Sequence, residues 1–140
     1  MNLTQILNYI KQNLQADKRL QTVYIDDVYK KWNHTNSSNQ YMSAVVDFMN
    51  TSFMGDYADY TFIVYVGNVV NEKQDNIYRS ISIADSVIQQ LLHKIDVDEN
   101  NMLLVVPNVV TPFNQQFEDV LAGAYCQFTL RIPIEIICEE

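Results

Sequence analysis

Residues 113–138 read FNQQFEDVLAGAYCQFTLRIPIEIIC. Cys126, Phe128, Leu130 and Ile132 alternate with Tyr125, Gln127, Thr129 and Arg131. Successive side chains on a strand point to opposite faces, so this is a strand with one apolar and one polar face. A polar turn spiked with aromatics (Phe113, Phe117, Glu118, Asp119) leads into it through Leu121, Ala122 and Gly123. Nothing in the stretch performs chemistry; it describes a sheet with a core on one side.

Upstream, Ile77, Ile81, Ala84, Ile88, Leu91 and Ile95 fall at alternating steps of four and three. Val87 and Leu92 widen the stripe. This spacing predicts a long amphipathic helix, capped by Asn71 with Gln74 or by Asp75 and closed by the acidic turn 96–101. A second amphipathic helix is predicted over residues 3–15 from Leu3, Ile6, Leu7, Ile10 and Leu14, with Asn2 and Gln5 as a capping box. Residues 20–29 read as a strand with Val23 and Ile25 on one face and Tyr24 on the other. Residues 33–39 (NHTNSSN) are a loop. Residues 41–50 give a strand with Val45 opposite Ala44, Val46 and Phe48. Residues 58–69 (ADYTFIVYVGNV) give another that is apolar on both faces, as a central strand is. Residues 102–106 are a short apolar strand. Pro107 and Pro112 place residues 107–112 at an edge or in a loop.

The predicted order is α-β-β-β-α-β-β, without repeats or linkers. That is an α+β fold, a small mixed or antiparallel sheet with both helices on one face. At 140 residues the chain reads as a single domain, 1–140,. The two cysteines lack metal or redox spacing, and an intracellular, reducing setting is expected. Cys126 reads as a small buried hydrophobe, and Cys138 lies among acidic neighbours that disfavour the thiolate. No signal peptide or membrane-length apolar run is visible.

No catalytic constellation emerges. His34 falls in a polar loop and His93 beside a helix stripe, without partners at metal-binding spacing. The three glycines are too scattered for a phosphate-cradling loop. Asp26–Asp27 and Glu118–Asp119 are adjacent pairs that point to opposite faces. Asp96, Asp98 and Glu99 lack the glycine and closing glutamate of a calcium loop. Catalytic, cofactor and metal residues are therefore expected to be none. A net charge of −8 repels phosphate backbones. The basic-aromatic cluster Lys30, Lys31 and Trp32 reads as a strand end or as a patch against an acidic neighbouring subunit. The aromatics are more telling. Phe62 and Tyr65 belong to the core, while Phe53, Met54 and Tyr57 flank Gly55 in a hairpin connection where polar residues are usual. Those residue types are enriched at protein interfaces.

The chain resembles phage tail-terminator and head–tail joining (neck) ring proteins, and also the ring proteins of crAss-like podoviruses. The resemblance spans most of its length: the N-terminal helix, the strand pair YMSAVVDFMNTSF…DYTFIVYVGNVV, the helix IYRSISIADSVIQQLLHKI and the closing strand FEDVLAGAYCQFTLRIPIEIIC. It implies a structural virion subunit, made in the host cytoplasm, that closes into a homomeric ring with six-fold or twelve-fold symmetry. Such a ring ends or joins the tail, contacts portal, adaptor and tail proteins, and passes genomic DNA without reading it. An acidic lumen suits that passage. The family has no active site, so no catalytic residue is carried over and no membrane contact is implied. Phe53, Met54, Tyr57 and Arg131 are the expected subunit-interface residues, Arg131 pairing with a subunit carboxylate. The alternative is an acidic intracellular adaptor, or a DNA-mimic inhibitor, that binds a host protein.

Overall fold

A computed structural model describes residues 2–25, 42–70, 74–98, 101–116 and 120–134. The elements are α1 (Leu3–Gln15), β1 (Thr22–Ile25), β2 (Ser43–Phe53), β3 (Tyr57–Val69), α2 (Gln74–Val97), β4 (Leu103–Leu104), β5 (Thr111–Gln116) and β6 (Val120–Pro133). The fold is α+β, in the expected order, with β5 as one further strand. The sheet runs β1-β2-β3-β6-β4, and β5 pairs with the other end of β6. Its β1–β2 pair is parallel and the rest antiparallel, so the sheet is mixed.

The capping box forms as read. Asn2 Oδ1 accepts from the Gln5 amide at 3.0 Å, and Gln5 Oε1 accepts from the Asn2 amide at 3.2 Å. Two otherwise unpaired donors at the start of α1 are thereby satisfied. Ile6, Ile10 and Leu14 are its buried stripe.

Both helices lie on one sheet face. α1 packs on β1 and β2, α2 packs on β6 and β3, and the helices touch each other. The core between them holds Ala44, Val46, Phe62, Val64, Cys126, Phe128, Leu130 and Ile132 from the sheet. β3 alternates buried and half-buried residues from Tyr57 to Val66, as a central strand covered on one side must. The sequence placed Ile81 in the α2 stripe. In the structure Ser80 is buried instead, while Ile77 and Ile81 are half-buried flanks. The small Ser80 and Ala84 face the sheet here, and Ile81 sits about 100° further round the helix. Asn71, proposed as the α2 cap, lies outside the described residues.

Residues 113–116, expected in a turn, extend β5 along β6. The reason lies on the sheet face opposite α1 and α2. Gly67 of β3 and Gly123 of β6 are directly paired. A Cβ at Gly123 would stand 1.9 Å from the Val66 carbonyl oxygen, and one at Gly67 would stand 2.7 Å from that of Ala122. Only glycine fits this approach. The Phe113 ring lies over Gly67 and packs with Val45, Leu121, Tyr24, Tyr65 and Val69 in a second small cluster. An aromatic thus fills the space the glycines leave, which fixes residues 111–116 as a strand.

Candidate assembly surface

β2 and β3 form a hairpin that leaves the core as it proceeds. The burial of β2 falls from four buried residues, Ser43–Val46, to exposed ones at its end. Thr22–Ile25 of β1 pair with those first four residues. The register slips between Phe48 and Asn50, which makes Met49 the extra residue of a bulge. The turn at the tip is closed by a 2.9 Å hydrogen bond from the Met54 amide to the Tyr57 carbonyl, and Gly55 takes φ +80, the left-handed region that favours glycine. A further bond from the Ile134 amide to the Asp56 carbonyl ties the tip to the end of β6.

Of the four expected interface residues, Phe53 and Met54 project from this tip, 71% and 54% exposed. Tyr57 and Arg131 are half-buried just behind them and touch each other. The Arg131 guanidinium lies 4.1 Å over the Tyr57 ring, a cation–π contact. Arg131 was expected to pair with a carboxylate of a neighbouring subunit. Its partner is Asp59 of the same chain, its cross-strand neighbour, with Nε 2.9 Å and Nη2 3.1 Å from the two carboxylate oxygens. This hydrogen-bonded carboxylate holds the guanidinium pKa above its ordinary value. A two-pronged pair fixes orientation, so within the chain Asp59, Arg131 and Tyr57 brace the tip. Two strand positions on, the Thr61 and Thr129 hydroxyls share a 3.0 Å hydrogen bond.

Beside the brace an open groove of about 660 Å³ is lined by Asp56, Tyr57, Asn101, Met102, Leu103, Arg131 and Pro133. Its far wall comes from the β4 edge, where Leu103 is well exposed, as are Val106 and Val109 beyond it. Sequence reasoning missed these three because they read as an ordinary short strand and loop. Among the described residues no three His, Cys, Asp or Glu side chains gather as a metal site requires. His93 is exposed on α2. Asp98 accepts a hydrogen bond from the Tyr9 hydroxyl, so it holds α1 to the end of α2. Burial pushes the Cys126 thiol pKa up. His34, the Lys30–Trp32 cluster, Asp26, Asp27, Glu99, Phe117, Glu118, Asp119 and Cys138 lie outside the described residues. No helix among the described residues is long and apolar enough to cross a membrane.

No protein-family model matches the chain, and no curated protein matches it in sequence.

Proposed function

We propose that this chain is a structural subunit of a phage virion, forming a homomeric ring at the head–tail interface that ends or joins the tail. The observation that carries the reading is the braced apolar hairpin tip. Phe53 and Met54 stand in solvent, on a turn pinned by the Tyr57–Arg131–Asp59 contacts and by the bond to Ile134. Fixing two large apolar side chains in water has no benefit to a lone subunit. A partner surface that covers them gives one. The resemblance of the strand–strand–helix–strand sequence to tail-terminator and head–tail joining proteins supplies the assembly. A charge of −8 suits a lumen through which DNA passes without adhering. Portal, adaptor and tail proteins are the neighbours this role implies.

Native mass spectrometry with negative-stain microscopy tests the proposal. A discrete six-fold or twelve-fold ring is expected from the intact chain. A Phe53→Ser, Met54→Ser variant is expected to keep the far-ultraviolet circular dichroism of the parent and to lose the ring. A chain that stays monomeric at every concentration and binds neither portal nor tail preparations would sink the reading.

A further inference from the structure

We infer that copies of this chain join head to tail through the two opposite lateral edges of the sheet: residues 48–54 of one copy against residues 103–110 of the next. The inference rests on the ring reading above and assigns its contact surfaces.

Two observations carry it. The first is where the exposed apolar side chains stand. Met49, Phe53 and Met54 lie on the limb of β2 that runs past β1, with Ile25 at the end of β1 on the same side. Leu103, Val106 and Val109 lie along the opposite edge, outside β6. Of the large exposed hydrophobic residues only Tyr78 and Val97, both on α2, fall elsewhere among the described residues. Two different apolar patches on opposite edges cannot cover each other within one chain. Each can cover the other in a neighbouring copy. Such a heterologous contact repeats, and it closes into a ring when the rotation permits.

The second observation is charge. Nine basic and seventeen acidic residues are spread over 140 positions. Residues 48–55 contain none, and residues 101–116 contain none. Identical subunits this acidic repel one another over most of their surface. They can approach closely where charge is missing, and both stretches fall on the sheet edges that carry the apolar patches. Charge depletion around apolar anchors also marks the centre of protein interfaces. A two-fold contact of the β2 limb with itself fits less well. The Met49 bulge breaks the alternation on which an antiparallel self-pairing depends, and the valine edge would stay uncovered.

Complementary variants test this. One chain carries Phe53→Ser and Met54→Ser, and the other carries Val106→Ser and Val109→Ser. Circular dichroism first confirms that both stay folded. Each alone is expected to be monomeric by native mass spectrometry, because each lacks one edge. Mixed in equal amounts, they retain one intact edge of each kind and are expected to give a dimer that grows no further. A mixture that stays monomeric while the parent forms rings would overturn the edge assignment and leave the ring reading in place. So would valine variants that still form full rings. Disulfide trapping gives an independent check in a Cys138→Ser background, where Cys126 is buried with a raised thiol pKa. Ser52→Cys and Val109→Cys positions in one copy are separated by β3 and β6, about 14 Å or more apart, too far for a bridge. Mixed single variants are expected to cross-link to each other at least tenfold faster than either does to itself. Self-linking of Ser52→Cys alone at that rate would establish a two-fold contact and overturn the proposal.

Discussion

β3 and β6 carry two aromatic pairs that differ mainly in what lies above them. Phe62 and Phe128 are cross-strand partners with ring centroids 5.7 Å apart and planes at 28°. Tyr65 and Tyr125, three positions along the same ladder, are 5.8 Å apart at 33°. The first pair faces the helices and is fully buried; the second faces away and is half-exposed. Strand geometry sets the ring spacing in both cases. The helix layer determines how much each ring contributes to stability, because that contribution follows the apolar area removed from water. The residue types agree: phenylalanine at the fully buried pair, tyrosine, with its polar end, at the half-exposed one,.

Truncating one member of each pair separates the two faces. Phe128→Ala is expected to cost about 3–5 kcal/mol in chemical denaturation, and Tyr125→Ala about 1 kcal/mol. Equal costs would mean that the two faces are equally enclosed. On the helix side, the rotation of α2 separates two leucine-sized residues. Leu91→Ala is expected to cost about 2–5 kcal/mol and Ile81→Ala about half as much. Equal costs would restore the stripe read from sequence alone, in which both residues face the sheet.

The smallest effect concerns Asp17. Arg19 donates to both its carboxylate oxygens at 3.0 and 2.7 Å. That hydrogen bonding holds the Asp17 carboxyl below its ordinary value of 3.8. Arg19 also reaches Ser86 and Gln90 on α2. The folded chain therefore binds the Asp17 proton more weakly than the unfolded chain does. The resulting stabilisation is fully present above the unfolded value and is lost as pH falls through the lower folded one. Asp17→Asn is expected to cost up to about 1 kcal/mol at neutral pH and progressively less below pH about 4, read as the gap between two urea titration series.

Much of the fold was legible because short-range rules settle it. The alternation from Tyr125 to Ile132 assigned each of those eight side chains to its face. Asn2 and Gln5 announced their own capping box. The hairpin tip stood out because Phe53 and Met54 occupy positions where turns are normally polar. What stayed illegible depends on register. Arg131 meets Asp59 across 72 positions of chain, and no local pattern pairs them. β5 looked like a turn because Phe113 reads as an anomaly until the Gly67–Gly123 contact beneath it is known. The charge-free run at 101–116 was visible in the sequence, but its meaning needed the topology that places it opposite the β2 limb.

The Gly67–Gly123 contact has a bearing on ancestry. Most core positions here accept any aliphatic residue of similar volume, so their letters can drift until little similarity remains. A Cβ at Gly123 has nowhere to go, and the ring of Phe113 is matched to the gap. Two glycines 56 positions apart, preceded by an aromatic ten positions before the second, form a sparse fingerprint set by backbone contact rather than composition. Distant relatives that have lost every other likeness should still carry it.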